Sequence, residues 1–436
     1  MVVLLINPSH PDIFPPPSLG YLKAFIEARD SSTKVVLADV EKPSSLPKLS
    51  SVTVVGISVH SFAVPAVAQL IPALRKEYPT ARLVAGGHHA SALPDQMLSI
   101  GFDQVVTGPG EIALLDIING LHVPIIIGSL PESLDDFPFP DYSGLHGTWT
   151  LPLGHGGRAL PIITSRGCPF ACKFCASAEF WHRCWHPRSP DNVLKEIRWR
   201  FETNQIDSFM FEDDNFTLDR TRALAITDGL TKLRQKFPGL RWQAASRAET
   251  LADAELCTSM SRAGATHVWL GIETGSPEIL KNCGKATTIE RMLKGIETAE
   301  KCGLRTVGQF IIGLIGESRV TIEETRNFIQ KSRLSHVGVN KAWVLPRTYL
   351  YDAACHAGFS PDDYLIGIPF FTWEHSNRRL DYWSDIVQTA GPGFSGQIGY
   401  NSLRFMFRRC RNWLGRLYGH FPGRYHSLQK SLGRTG

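Results

Sequence analysis

The sequence predicts an α/β protein built from two successive parallel-sheet units and a small, mostly helical carboxyl-terminal region. Three observations carry this reading. Over 1–130, short Val/Ile/Leu runs alternate with amphipathic helical patterns, as in a doubly wound sheet covered on both faces. Over 161–345, six further strand–helix units repeat, which suits an open, partial (β/α)6 barrel rather than a closed one. Between them, 131–160 is rich in Pro, Asp and Gly and has no periodicity, the composition of a connector. The boundaries therefore read 1–130, 131–160, 161–345 and 346–436, and the connector is expected to drape over the mouth of the second unit.

In the first unit, strands are expected over 2–6, 34–38, 52–57, 82–85 and 104–106, with helices over 19–28, 64–78, 94–99 and 111–119. The apolar start lacks a basic segment and a small-residue cleavage site, so it reads as a buried first strand and not as a signal peptide. Ligands of such sheets sit beyond the carboxyl ends of the strands. Those ends carry Ser58-Val59-His60-Ser61, Gly86-Gly87-His88-His89 and Thr107-Gly108-Pro109-Gly110-Glu111. Glycines there would let the backbone approach a flat ligand, although tight turns need glycine for structural reasons as well.

In the second unit, a strand over 161–165 leads into a cysteine loop and a helix over 190–202. Strands over 208–211, 241–245, 267–272, 306–312 and 337–344 then alternate with helices over 220–237, 253–263, 289–301 and 322–332. Catalytic groups of α/β barrels gather at the carboxyl ends of strands. That rule selects Glu212-Asp213-Asp214-Asn215, Arg247, Glu273, Gln309 and Gly313. Each also has a plain reading: Asp214 or Asn215 could cap a helix, and Arg247 could pair with Glu249.

The cysteine loop is Cys168-Pro169-Phe170-Ala171-Cys172-Lys173-Phe174-Cys175, entered through Ser165-Arg166-Gly167. Three thiols this close can hold zinc or an iron–sulfur cluster, since thiolates prefer soft metals. Zinc needs a fourth ligand, for which Cys184, His182 or His186 stand near. A cubane held by three cysteines would leave one iron open for chemistry. The other six of nine cysteines are scattered, without the spacing of a disulfide framework.

The Cys-x3-Cys-x2-Cys run resembles the radical S-adenosylmethionine (SAM) enzymes. Phe211-Glu212-Asp213-Asp214-Asn215-Phe216-Thr217, Gly271-Ile272-Glu273-Thr274-Gly275-Ser276 and Gly308–Glu317 are similar to the second-, fourth- and fifth-strand motifs of their cobalamin-binding branch. The fifth departs from the branch by Ile315 in place of the usual proline. The first unit, with Pro16-Pro17-Ser18-Leu19-Gly20-Tyr21-Leu22, resembles the flavodoxin/Rossmann-like cobalamin domain that precedes many such barrels. It lacks the Asp-x-His-x-x-Gly motif, and no context of His60, His88 or His89 supplies one. The resemblance is therefore to proteins that bind cobalamin without a protein histidine on cobalt. The alternative is a degenerate flavodoxin-like domain that has lost its ligand.

The resemblance implies a [4Fe-4S] cluster on Cys168, Cys172 and Cys175, with SAM chelating the open iron. It places Phe174, Asp213, Arg247, Glu273, Gln309 and Ile312 against SAM. It places Ser58, His60, Gly86, Gly87, His88, Gly108 and Glu111 against cobalamin. A guanidinium at Arg247 suits the SAM carboxylate, which it can bind bidentately. The implied activity is methylation of an unactivated carbon, or of a phosphinate, using a 5′-deoxyadenosyl radical and methylcobalamin. A cobalamin-dependent cyclase or ring-rearranging enzyme is the alternative in the same branch. A non-catalytic cobalamin- or zinc-binding regulatory module is the alternative of another class. The implied partners are a small-molecule or peptide substrate and an external flavodoxin- or ferredoxin-type electron donor.

Charge and hydropathy narrow the setting. The chain is 43% hydrophobic and 20% charged, with no apolar run long enough to span a bilayer. An oxygen-sensitive cluster together with unpaired thiols points to a reducing cytoplasm. The net charge of +5 resides in the tail: from Ile386 onward eight Lys/Arg meet no acidic residue, and the rest carries −3. That argues against nucleic acid as a partner. Over 402–418, apolar residues at helical spacing oppose Arg404, Arg408, Arg411 and Arg416. Such a helix is expected to pack on the barrel, with membrane contact the less favoured reading. The region after 344 is expected to cap the barrel. Pro346-Arg347-Thr348-Tyr349-Leu350-Tyr351 stands there, with Arg347 where the branch usually has glycine. Phe370, Phe371, Trp373, Tyr382 and Trp383 are expected to form local core.

Overall fold

The computed structural model describes residues 1–8, 16–145, 149–153, 158–367, 369–372 and 374–392. The basic stretch over 402–418 and Trp373 lie outside the described residues.

The first sheet contains β1 (Val2–Asn7), β2 (Lys34–Asp39), β3 (Val52–Ser58), β4 (Arg82–Gly86), β5 (Gln104–Thr107) and β6 (Ile125–Ile127). It is parallel throughout, in the order β2-β1-β3-β4-β5-β6. The helices are α1 (Pro17–Arg29), α2 (Val64–Glu77), α3 (His88–Ala92), α4 (Pro94–Ile100) and α5 (Glu111–Ile118). Central strands such as β1 and β3 bury Leu4, Leu5, Ile6, Val54 and Val55 on both faces, which is why their sequence runs apolar without alternation. The expected strands and helices lie where they were read, with ends shifted by a residue or two. β6 and α3 were not expected, being three and five residues long.

The second sheet contains β7 (Ala159–Ile162), β10 (Ser208–Phe211), β11 (Arg241–Ser246), β12 (Ala265–Glu273), β13 (Arg305–Ile312) and β14 (His336–Lys341). Its order, β14-β13-β12-β11-β10-β7, is sequential and parallel, a six-stranded open barrel. Between β7 and β10 lie β8 (Ser165–Arg166), α6 (Ala176–Phe180), β9 (His186–Pro187) and α7 (Pro190–Asn204). Helices α8 (Arg220–Lys236), α9 (Ala254–Arg262), α11 (Ile289–Lys301) and α12 (Arg319–Ser332) cover the outside, while α10 (Pro277–Asn282) buries Ile279 in a core shared with the first unit. Ser189, Asp219, Asp253, Thr288 and Ser318 each cap a helix with a side-chain oxygen, satisfying amides that have no partner within the helix.

The strand expected over 161–165 is two elements. β7 stops at Ile162, and Ser165–Arg166 pairs instead with His186–Pro187 in a separate antiparallel ladder. Asp213 draws the chain off the sheet by accepting the amides of Thr164 (2.7 Å) and Ser165 (3.1 Å). The connector also departs from expectation. Only Pro131 and Glu132 of its described residues border the larger of two cavities, of about 1130 Å³, that the strand ends line. Leu134 and Phe137 pack on Tyr21 and Phe25 of α1, and Tyr142 enters the barrel core.

After β14 come α13 (Tyr349–His356) and α14 (Asn377–Gln388). α13 is no simple barrel cap, because Leu350, Ala354, Phe359, Tyr364 and Phe371 share a core with Leu4, Ile57 and Val67 of the first unit. α14 closes on the barrel through Leu380, Trp383 and Val387. Phe371 and Trp383 are core as expected and Phe370 packs on Trp343, whereas Tyr382 is 64% exposed. Among the described residues no helix is long and apolar enough to cross a membrane.

Candidate functional site

The cysteine loop leaves β8 through Gly167, whose φ is +86°. A Cβ there would lie 2.2 Å from the Cys184 carbonyl oxygen, so only glycine fits. Backbone bonds seat the loop from two sides: the Lys173 amide donates to Cys283 O (2.9 Å), and the Tyr349 amide donates to Lys173 O (3.0 Å). Cys168, Cys172 and Cys175 are free thiols, partly exposed. Burial pushes the Cys175 thiol up to about 11 and raises that of Cys168. Such thiols become thiolates when a cation sits against them, so the donor set fits a metal centre. Among the described residues no three His, Cys, Asp or Glu side chains converge on a point that would hold one ion. A cubane makes no such demand, because its cysteines bind different irons. His182, Cys184 and His186, the alternative fourth ligands, border the larger cavity.

Arg247 follows β11 and makes the expected pair with Glu249, though buried and not on the surface. Its Nε donates to Glu249 Oε1 (2.5 Å), while Nη1 reaches Cys172 Sγ (3.9 Å) and the guanidinium lies over the Phe170 ring (3.9 Å). Glu273 ends β12 at φ +67° and pairs with Lys285 (3.1 Å). Phe174, Glu273 and Gln309 all border a cavity of about 1130 Å³.

Two of the expected SAM contacts are placed elsewhere. Ile312 is wholly buried in the barrel core, and its neighbour Ile311 borders the cavity because successive strand residues point to opposite faces. Asp213 is also buried: its carboxylate is taken up by the amides and hydroxyls of Thr164 and Ser165. It therefore positions the loop. Its neighbours Glu212 and Asp214 border a second cavity of about 420 Å³. Burial raises Asp214 and pushes Glu212 up to about 7. The run Glu212-Asp213-Asp214 was the available signal, but not which carboxylate turns inward.

The turns of the first sheet face the same space. His60, His88 and Gly108 border both cavities, while Ser58, Gly86, Gly87 and Glu111 border the second. A Cβ built on Gly86 meets nothing within 4 Å, so a side chain there would enter space that a cofactor could fill. Glu111 is not free: its Oε1 lies 2.7 Å from Arg166 Nη2. His89 is structural, bonded to Ser61 Oγ (2.9 Å) and Gln96 Oε1 (2.7 Å). His88 stacks on Phe180 of α6, ring centroids 4.2 Å apart.

A doubly wound sheet whose ligand turns face a three-cysteine loop at the mouth of a six-stranded open barrel defines a two-domain, two-cofactor class. Residues 162–329 match the family model of the radical SAM superfamily, and residues 6–118 match that of the B12 binding domain. The chain belongs to the cobalamin-binding radical SAM proteins. The cofactors of that family are a [4Fe-4S] cluster, SAM and cobalamin.

The chain is 29% identical to an uncharacterised methyltransferase of Pyrococcus horikoshii, over 62% of this chain and 62% of that one. It is 25% identical to the anaerobic magnesium-protoporphyrin IX monomethyl ester cyclase of Rubrivivax gelatinosus, over 74% and 65%. It thus spans less than two thirds of either relative's length. Among solved structures, the radical SAM methyltransferase TsrM of Kitasatospora setae, with tryptophan and a SAM analogue bound, aligns with a TM-score of 0.65. That alignment covers 82% of this chain and 76% of TsrM at 19% identity, a likeness of fold.

Proposed function

We propose that the protein methylates an unactivated carbon, or a phosphinate, of a small-molecule or peptide substrate. The observation that carries this reading is one cavity bordered both by the cysteine loop (Phe174, Cys175) and by the turns of the B12 domain (His60, His88, Gly108). A substrate held there would face both cofactors. When bound, the cluster and SAM supply a radical that removes a substrate hydrogen, and cobalamin supplies a methyl group.

Cys168, Cys172 and Cys175 would hold the cluster. Arg247, beside Cys172, would bind the SAM carboxylate through Nη1, since Nε is taken by Glu249 and Nη2 by Ala286 O (3.2 Å). Phe174 would contact the adenine, while Glu273 and Gln309 would accept from or border SAM's amino and ribose groups. Phe180, Trp181 and Trp343 give the cavity apolar walls, a surface suited to a reactive intermediate. Cluster reduction would draw on an external flavodoxin- or ferredoxin-type protein.

The cyclase relative supports a second reading, oxidative cyclisation or ring rearrangement. With cluster and cobalamin reconstituted, 5′-deoxyadenosine and S-adenosylhomocysteine should accumulate in step with turnover. 5′-Deoxyadenosine alone would remove methylation in favour of cyclisation, and neither product would remove both readings.

A further inference from the structure

Arg347 stands where the backbone favours glycine. Leu345, Pro346, Arg347 and Thr348 make a tight turn between β14 and α13, closed by the Thr348 amide donating to Leu345 O (3.3 Å). Proline in the second place and a positive φ in the third mark a turn whose third residue is ordinarily glycine. Arg347 holds that place at φ +61°, in the left-handed region that a side chain enters only at a cost. Residues held in such conformations gather at ligand clamps and active sites.

The surroundings of the side chain show what it could clamp. Arg347 borders the larger cavity together with Trp343, Leu345 and Leu350. Its Nε donates to Ala92 O (3.0 Å) at the end of α3, which anchors the guanidinium to the first unit. Its Nη1 and Nη2 have no hydrogen-bond or ion-pair partner among the described residues. Two such nitrogens form a fork that matches the paired oxygens of a carboxylate or a phosphate. Other charges on the same wall are already paired: Lys341 with Asp381 (2.5 Å), Glu273 with Lys285 (3.1 Å) and Glu179 with Arg183 (3.8 Å). Glu132 is the remaining acid there, and no ion pair joins it to Arg347. With the rings of Phe180, Trp181 and Trp343, the cavity combines an apolar body with one unpaired guanidinium.

We infer that Arg347 binds an anionic group of the substrate, a carboxylate or a phosphate, and so selects a molecule with an apolar body and one acidic end. This rests on the reading of the larger cavity as the substrate site, and it gives that site a class of substrate.

The test uses the full chain loaded with its cofactors and three probes that share one ring system: 2-naphthyl phosphate, 2-naphthoate and neutral 2-naphthol. Equilibrium dialysis gives their affinities. In the wild-type chain at least one anion should bind more tightly than the naphthol by roughly 5- to 30-fold, between the solvated and the buried limits of a charged hydrogen bond. Arg347→Gly should erase that advantage and leave the affinity for naphthol unchanged. Its denaturation midpoint should be no lower than that of the wild type, because glycine suits the turn. Arg347→Lys keeps the charge without the fork and should retain part of the advantage. Whichever anion loses more in Arg347→Gly identifies the acidic end as carboxylate or phosphate. Equal wild-type affinities for all three probes, or an anion advantage that survives Arg347→Gly, would overturn the assignment to Arg347. Binding of none of the three would overturn the reading of the cavity as the substrate site. The products of turnover, and not these affinities, decide between methylation and cyclisation.

Discussion

Glu111 and Arg166 form a buried ion pair, Oε1 to Nη2 2.7 Å, with 4% and 8% of their side chains exposed. Glu111 opens α5 of the first domain and Arg166 stands two residues before Cys168, so the pair ties the cysteine loop to the first domain. The Arg166 guanidinium also lies 4.9 Å from the Tyr21 and Phe137 ring centroids. Replacing Glu111 by alanine leaves a buried guanidinium uncompensated, at a cost of about 3–5 kcal/mol. We expect Glu111→Ala to lower the denaturation midpoint and weaken retention of both cofactors. An unchanged midpoint would refute the structural weight given to this pair.

The three loop cysteines and Cys184 separate the cluster from zinc. Wild-type protein reconstituted anaerobically should carry about four irons and four sulfides per chain. Alanine at Cys168, Cys172 or Cys175 should strip most of that iron, whereas Cys184→Ala should leave it in place. Stoichiometric zinc that depends on Cys184 would defeat the cluster assignment.

Arg247 offers a test of SAM binding apart from turnover. Losing a charged hydrogen bond to a carboxylate costs about 1.5–3 kcal/mol, or roughly 10- to 150-fold in affinity. Equilibrium dialysis of Arg247→Ala, with cluster content matched to wild type, should show SAM binding weakened on that scale. Arg247→Lys keeps the charge but loses the fork geometry, and should fall between the two. Equal affinities across the series would return Arg247 to its plain role as partner of Glu249.

Glu317 should make stability depend on pH. Burial pushes its carboxyl from the ordinary 4.5 up to about 8, against the amide of Gly313 (2.6 Å), which favours the charged form. Between those values the folded chain binds a proton that the unfolded chain does not. Stability therefore falls as pH rises through this window, by up to about 1.4 kcal/mol per pH unit, and the slope ends above about 8. Glu317→Gln should make that stretch of the denaturation profile shallower, Glu212 still contributing below about 7; a slope identical to wild type would exclude Glu317 as a source.

Much of the fold was legible in the chain. The bounds of β10 and α11 agree with the periodicity to the residue. In α11, buried Met292, Ile296 and Ala299 recur at helical spacing behind a Thr288 cap, so local and tertiary signals coincide. The cysteine loop was equally plain, because its chemistry is contained within eight consecutive residues.

What stayed hidden depends on contacts between distant parts of the chain. Nothing near Thr164 announces that Asp213 will pull it from the sheet, and nothing near Glu111 announces Arg166. Ile311 and Ile312 are chemically alike, so only the observed strand orientation shows which one meets the cavity. Arg347 lines that cavity while donating from Nε to Ala92 O (3.0 Å), a link to the first domain that spacing alone cannot reveal.

The seating of Lys173 between Cys283 and Tyr349 has a temporal consequence. Ribosomes deliver the cysteines long before either partner, so the loop has no scaffold while the chain is still emerging. If the loop holds the cluster, its delivery is expected at the end of maturation, after the segment carrying Tyr349 has closed on the barrel. A nascent chain stalled before Tyr349 should take up markedly less iron than a released one; equal uptake would show that the loop organises itself.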